Sequence, residues 1–327
     1  MDERLVEEIL NVIDFSCGKT LRETQGLKSI DIIDDVVHLK VYLSEVTGEE
    51  ADKVKNTLVR IVKLNYGYKG IKLQFIPEKE RNTIYDNGCR FLFVASGKGG
   101  VGKSNVTANL AYALKRMGKK VGIVDCDIYG ASIPNVLGLP HMEARGDKEG
   151  HILPMEAYGM EVLSTEFFVE DDRPLMWRGP MLSRMLNHFF QDTLWDKDLE
   201  YLLIDLPPGT GDVAIDLGKM LPNGKMIVVT TPHPQASSVA VKAGLGAMEM
   251  KTELIGVVEN MSYFKNPANG NHEFIFGNGG GSIVSERLGV PLLSNIPIGQ
   301  AKNFLFESDE EIGQCYDELA IKIDTLF

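Results

Sequence analysis

One glycine-rich segment of the sequence could hold a phosphate group. The residues Gly97-Lys98-Gly99-Gly100-Val101-Gly102-Lys103-Ser104 fit the pattern GxxxxGK[ST], directly after an apolar run and before a segment of helical periodicity. Glycines let backbone N–H groups curve around a phosphate, and the N-terminus of the following helix adds partial positive charge. Lys103 would approach the terminal phosphates, and Ser104 would offer its hydroxyl to Mg²⁺. A turn that merely tightens the connection would leave both residues unexplained, so the pattern predicts that residues 97–104 bind ATP and Mg²⁺.

A second lysine, Lys98, lies inside the same loop. It is held close to the loop but can extend away from its own phosphates. It could therefore meet a nucleotide bound by a second subunit and neutralise charge in the transition state. On that interpretation Lys98 is catalytic and hydrolysis requires a homodimer. The alternative is a solvated lysine in a polar loop.

Acidic residues follow two apolar runs. Asp125 and Asp127 stand at the end of KKVGIVDCD, and Asp205 ends YLLID. In a doubly wound sheet both would emerge at the edge where ligands bind. Mg²⁺ prefers carboxylate and water oxygens, so we expect Asp205 to contact it, directly or through water, and Asp127 to position the attacking water. The alternative for these acids, and for Asp212, is capping of the following turns.

Short apolar runs separated by helical segments make up the chain from Arg90 onward. Each run ends at glycine, proline or an acid, as buried parallel strands do; they are FLFVAS, KKVGIVD, YLLIDLP, MIVVTTP, LIGVVEN and PLLSNIP. These six runs predict an α/β fold with a doubly wound, mostly parallel sheet over residues 90–327. Residues 137–195 are less regular, and we expect them to supply surface and partner contacts.

Residues 1–77 form a separate pattern. Apolar residues recur at helical spacing up to Ile13, then alternate from Val37 to Leu43, and a second helix and a last strand follow. Asp34-Asp35 marks a hairpin. The pattern predicts a small α/β domain with the order helix, strand, strand, helix, strand. The polar stretch 78–89 is the predicted linker.

Composition narrows the range of partners. The chain has 34 Lys plus Arg against 46 Asp plus Glu, a formal charge of −12, which opposes binding to a phosphate backbone. No apolar run reaches about 18 residues, and the first residues lack the basic-then-apolar order of a signal peptide. We expect a cytoplasmic protein without nucleic-acid or membrane partners. The four cysteines are scattered, with no CxxC pair.

The motifs GKGGVGKS, DCDIYGASIPNVLG, MWRGPM, LIDLPPGTGD, GVVENMSYF and FGNGGG stand in the order found in Mrp/ApbC-type ATPases. The chain resembles that family, whose relatives include MinD, ParA and the nitrogenase iron protein, all with a deviant P-loop. The first 77 residues resemble the MIP18-like domain that is often fused to these ATPases and shared with other iron–sulfur assembly factors. The resemblance there is carried by VIDFSCGKTL and VKNTLVRIVKLNYGYKGIKLQF.

The resemblance implies roles for individual residues. Lys98 would be the signature lysine that reaches across the homodimer, Asp127 the first switch acid and Asp205 the acid on the magnesium side. Asn260, in GVVENMSYF, would contact the adenine.

The resemblance also implies a cluster site from which this chain departs. Family members generally carry a CPxC-type pair after NMSYF, and pairs from two subunits are thought to hold one 4Fe–4S cluster. Here Asn266 and Asn269 occupy the two cysteine positions, and amides are hard, neutral and weak ligands for iron. In the N-terminal domain, EVTGEE at 45–50 stands where relatives often have a cysteine. The cluster ligands stay unassigned, because Cys17, Cys89, Cys126 and Cys315 read as inert thiols.

The resemblance implies a dimeric, Mg²⁺-dependent ATPase that binds iron–sulfur clusters and transfers them to apoproteins. Its partners would be those apoproteins or other assembly factors. The two asparagines keep a second reading open, a regulatory or scaffold ATPase that has no cluster. A third is a positioning ATPase of the MinD or ParA kind. The acidic segment ESDEEIGQCYDELAIKIDTLF and the net charge of −12 disfavour the membrane or DNA binding which that reading requires.

Overall fold

The computed structural model describes residues 3–24, 26–77, 84, 88–128, 130–148, 150–168, 179–209 and 211–327. The chain divides into two compact units, Met1–Asn82 and Thr83–Phe327. The predicted linker, 78–89, lies mostly outside the described residues, so the domain boundaries stay a prediction. Across the described ranges, no helix is both long and apolar enough to cross a membrane.

The first unit packs two helices against a small sheet. Its elements are α1 (Glu3–Leu10), β1 (Ile13–Asp14), β2 (Lys19–Thr20), β3 (Leu27–Ile33), β4 (Val36–Leu43), α2 (Glu49–Arg60), a π-helical turn (Ile61–Asn65) and β5 (Gly70–Pro77). In the sheet β3 is antiparallel to β4, and β4 is parallel to β5. Asp34 and Asp35, both at positive φ, form the predicted hairpin turn. The order of elements is the predicted one, with the short β1–β2 pair added.

The second unit is built on one large sheet. Its elements are β6 (Arg90–Ser96), α3 (Lys103–Arg116), β7 (Val121–Asp125), α4 (Ile133–Val136), β8 (Arg145–Gly146), β9 (Ile152–Leu153), β10 (Met155–Ala157), β11 (Met160–Ser164), a 3₁₀ turn (Thr165–Phe168), α5 (Gly179–Gln191), β12 (Tyr201–Asp205), α6 (Asp212–Met220), β13 (Lys225–Thr230), α7 (Pro234–Glu249), β14 (Glu253–Glu259), β15 (Phe264–Lys265), β16 (His272–Glu273), α8 (Gly280–Leu288), β17 (Leu292–Asn295) and α9 (Glu311–Leu326).

The sheet has eight strands in the order β10-β11-β7-β12-β6-β13-β14-β17. All neighbours are parallel except the edge strand β10, so the predicted doubly wound, mostly parallel sheet is confirmed. The six strands expected from the apolar runs are present.

The expectation for residues 137–195 was incomplete. Part of this stretch, β11, is an inner strand parallel to β7, with Val162 and Leu163 buried in the core. The five-residue segment MEVLS contains a glutamate and is too short to stand out as an apolar run. Its place in the sheet follows from pairing with β7, which is a tertiary contact.

The register of the three central strands determines where the polar residues lie. β12 runs between β7 and β6, and Asp205 pairs with Asp125 on one side and with Val94 on the other. The carboxyl ends of these strands are therefore level. The loop from Gly97 to Gly102 leaves β6 at that edge and leads directly into α3, which begins at Lys103.

Candidate active site

The glycine-rich loop packs tightly against its surroundings. A Cβ on Gly97 would lie 2.2 Å from the backbone carbon of Val239, and one on Gly102 would lie 2.3 Å from Asn260 Nδ2. Gly102 also has φ +79, a conformation that favours glycine. Both positions therefore require glycine, and the loop is held against α7 and the end of β14.

Lys103 is buried at the start of α3, with 6% of its side chain exposed. Its Nζ lies 2.6 Å from Asp205 Oδ2 and 3.9 Å from Asp127 Oδ2. Ser104 Oγ donates to the same oxygen of Asp205 at 2.6 Å. One buried carboxylate thus gathers the ammonium and the hydroxyl that the sequence assigns to phosphate and metal.

Thr107 completes this arrangement. Its Oγ1 lies 2.6 Å from Asp205 Oδ1, and the residue is fully buried one helical turn after Lys103. The sequence analysis assigned it no role. Its i+4 spacing from Lys103, which places both side chains on one face of α3, is the signal that could have found it.

Three acids lie close to Lys103 and to one another. Asp125 and Asp205 are both fully buried at the level ends of neighbouring strands. Burial, and then the charge of Asp205, raise the pKa of Asp125 to about 7. Burial likewise raises the pKa of Asp127, and nearby Lys103 opposes that shift. Carboxylates with raised pKa values around one lysine are typical of a functional site.

A cavity of about 570 Å³ opens above these groups. It is lined by the loop and by the segments that follow β7 and β12: Ser96, Lys98, Gly99, Gly100, Val101, Gly102, Lys103, Ser104, Asn105, Asp127, Gly130, Ser132, Val136, Pro207 and Pro208. The cavity has a helix N-terminus, one buried ammonium and one hydroxyl beside a carboxylate. That donor set suits a polyphosphate with Mg²⁺.

The other predicted residues occupy distinct positions. Lys98 is exposed at the mouth of the cavity. Asn260 is buried, and its Nδ2 donates to the carbonyl of Val101 at 2.9 Å, so it braces the loop. Asp212 begins α6, but its side chain lies outside the described residues, as do residues 176–178 of MWRGPM.

The two asparagines at the family's cysteine positions form a turn between β15 and β16. Asn266 Oδ1 accepts from the N–H of Ala268 at 2.9 Å, and Asn269 Oδ1 accepts from the N–H of Asn271 at 2.9 Å. Asn266 Nδ2 donates to Glu273 Oε1 at 2.6 Å. These side chains serve the hairpin itself and are not arranged as ligands.

The four cysteines lie outside this hairpin. Burial raises the pKa of Cys89 to about 12 and that of Cys126 well above its ordinary value, and it also raises the pKa of Cys315. Cys17 is exposed in the other unit. Over the described ranges, no three or more His, Cys, Asp or Glu side chains are grouped so that they could hold a metal ion.

Comparison with known families decides the classification. The family model ParA, described as NUBPL iron-transfer P-loop NTPase, matches residues 89–322. The chain belongs to this family. Membership of this P-loop NTPase family makes it a nucleotide-hydrolysing enzyme, and the resemblance drawn from the motifs is confirmed.

Relatives match over most of this chain. An iron-sulfur cluster carrier protein of Bacillus subtilis is 41% identical over 94% of this chain and 92% of its own. A protein of the same name from Escherichia coli is 36% identical over 85% of this chain and 77% of its own.

Solved structures agree with the fold. A nucleotide-binding protein from Archaeoglobus fulgidus, in complex with ADP, is 34% identical, covers 75% of this chain and 90% of its own, and has a TM-score of 0.57. The cell division ATPase MinD of Pyrococcus furiosus is 21% identical, and the match covers 73% of this chain and 99% of MinD with a TM-score of 0.50. The latter likeness concerns the fold alone.

Proposed function

We propose that this protein is a Mg²⁺-dependent ATPase that works as a homodimer and carries iron–sulfur clusters to apoproteins. The observation that carries the ATPase part is the convergence of Lys103, Ser104 and Thr107 on Asp205 beneath the phosphate loop. The carrier part is supported by the 41% identity to a cluster carrier protein over 94% of the chain.

The phosphate end of the nucleotide is assigned to the loop and to Lys103. Lys103 Nζ already lies between two carboxylates at the cavity floor, so it can supply a fixed positive charge to the terminal phosphates. Ser104 and Asp205 would hold Mg²⁺, which when bound neutralises charge on the phosphate oxygens. Thr107 keeps the carboxylate of Asp205 in place.

Asp127 is assigned to the attacking water. It lines the cavity with its Oδ2 3.9 Å from Lys103 Nζ, and 14% of its side chain is exposed. Burial raises its pKa, which makes this carboxylate a better proton acceptor than a solvated one. It can therefore orient a water and receive its proton.

Lys98 is assigned to a nucleotide in the second subunit. Its side chain is exposed, and within the described part of the chain it forms no ion pair. A cation held at the rim of the cavity and not used within its own subunit suits a contact in trans. This assignment makes the homodimer part of the active site.

Asn260 is assigned to the base. Its Nδ2 is used by the Val101 carbonyl, which leaves Oδ1 to accept from the exocyclic amino group of adenine. The same bond links the base site to the phosphate loop.

A second candidate, an ATPase that regulates or scaffolds assembly without holding a cluster, is favoured by the hairpin. Asn266 and Asn269 are engaged in bonds within their own turn, so the carrier function requires ligands elsewhere or supplied by a partner. The cytoplasmic location and the lack of nucleic-acid and membrane partners stay predictions from composition.

Anaerobic reconstitution tests the two candidates. The full chain is incubated with ferrous iron, sulfide and reductant, desalted, and measured for iron and for visible absorption. A carrier should retain about four irons per dimer with a thiolate-to-iron band. Retention of fewer than about one iron per dimer, with ATP turnover intact, would select the second candidate. Lack of Mg²⁺-dependent ATP turnover would reject both.

A further inference from the structure

The loop that carries Asp127 is anchored by another carboxylate. Asp125 Oδ1 accepts from the N–H of Asp127 at 3.0 Å, and Asp125 Oδ2 accepts from the N–H groups of Ser132 and Ile133 at 3.0 and 3.1 Å. Ser164 Oγ adds a contact at 3.3 Å. One side chain therefore ties down both ends of the connection between β7 and α4.

Asp125 is set apart from the reacting groups. It is fully buried and is not part of the cavity lining, whereas Asp127, Gly130 and Ser132 of the connection do line the cavity. Asp125 therefore does not line the nucleotide site, and its hydrogen bonds to backbone N–H groups act on the loop that carries Asp127.

We infer that Asp125 is a positioning residue for hydrolysis, which holds Asp127 against the cavity by accepting hydrogen bonds from both ends of its loop. The inference rests on the role proposed for Asp127. It extends that role by naming what fixes the loop: a strand-end acid distinct from the carboxylates assigned to water and metal.

The chemistry of the side chain explains why a carboxylate stands here. The two side-chain oxygens of Asp125 can accept from the three N–H groups and the hydroxyl together. The amide of asparagine would keep one acceptor oxygen and turn an NH₂ group toward a backbone N–H. Asp125 also pairs with Asp205 across the strands, and two buried acids side by side cost free energy. An apolar residue would fill the space without that cost.

The test combines hydrogen exchange with kinetics on Asp125→Asn in the full chain. We expect the amides of Ser132 and Ile133 to exchange at least about tenfold faster than in the wild type. We expect kcat for ATP to fall about 10²-fold, as for misplacement of a catalytic group, with KM changed less than about threefold because the phosphate loop is untouched.

Ser164→Ala serves as the matched control, since it removes the longest contact to Asp125 and leaves the three N–H bonds. Its exchange and kcat should stay within about twofold of the wild type. A normal kcat in Asp125→Asn, or a lower kcat without faster exchange of the loop amides, would overturn the inference.

A measurement on the wild type keeps the test decisive if Asp125→Asn does not fold. The amides of Ser132 and Ile133 should be protected although they lie at the end of a loop, and exchange at the rate of a free peptide would overturn the anchor. Asp127→Asn separates the inference from the proposed function. If that variant keeps full turnover, the role given to Asp127 fails, whereas the exchange rates still report on Asp125.

Discussion

The phosphate loop and the β15–β16 hairpin are both short polar segments that the family resemblance marks as functional. They differ in the burial and in the hydrogen-bond partners of their polar side chains. At the loop, the side chains of Lys103 and Asp205 are buried and face one another beneath a cavity. At the hairpin, Asn266 is half-buried and Asn269 is exposed, and both bond to their own turn.

The difference lies in what the polar groups are used for. A buried ammonium and carboxylate are costly to desolvate, and their attraction repays that cost only with good geometry and further hydrogen bonds. The loop meets that condition through Ser104 and Thr107, and the arrangement lies where a ligand can reach it. The asparagines are satisfied locally, as in an ordinary Asx turn. Motif position alone therefore does not make a site.

Lys103→Ala should have the largest effect. We expect ATP turnover to fall by about 10³-fold or more and nucleotide binding to weaken, because the terminal phosphates lose their fixed cation. Steady-state phosphate release and titration with a fluorescent ATP analogue measure the two effects. Lys115→Ala, on the same helix, should keep turnover within about twofold. Unchanged turnover in Lys103→Ala would remove the phosphate-loop assignment.

Lys98→Ala should lower ATP turnover about 10³-fold, by analogy with an arginine finger that acts in trans. Turnover per subunit of the wild type should also fall on dilution. Mixing Lys98→Ala with Lys103→Ala should restore activity, because a heterodimer then contains one site with Lys103 in its loop and Lys98 from its neighbour. Absence of rescue in mixtures shown to exchange subunits would place Lys98 in its own subunit.

The double variant Asn266→Cys, Asn269→Cys should turn the hairpin into an iron-binding segment. Two thiolates supply the softness and charge that iron prefers, so the variant should retain more iron after anaerobic reconstitution than the wild type. ATP turnover measured before reconstitution should stay within about twofold, because the hairpin lies outside the cavity lining. Asn266→Ser, Asn269→Ser is the control without thiolates and should gain no iron. Equal iron in both double variants would contradict the contrast between the two regions.

Thiol labelling should show the smallest effect. At pH 8 we expect a maleimide to modify the exposed Cys17 first and to modify Cys89, Cys126 and Cys315 at least about tenfold more slowly. Burial raises the pKa of each of these three, so little reactive thiolate is present. Mass spectrometry of peptides over time gives the order. Rapid labelling of Cys315 would mark it as an available ligand and weaken the second candidate function.

The sequence predicted most of the fold, because short apolar runs that end at glycine, proline or an acid can be recognised from local residues. The six strands that correspond to apolar runs, the phosphate loop and the Asp34-Asp35 turn depend on nearby residues and were all expected. β11 was not, because a short run containing a glutamate becomes a strand only by pairing with β7.

The candidate site also has features that were predicted from the sequence and features that only the tertiary structure shows. The sequence by itself determined that a phosphate loop with Lys103 and Ser104 opens a helix, since glycine freedom and helix spacing are local properties. Only the tertiary structure decided that Asp205 gathers Lys103, Ser104 and Thr107 from α3, and that Asp125 anchors the loop of Asp127. These contacts depend on the level ends of β7 and β12, and strand register arises from pairing between segments that are distant in the chain.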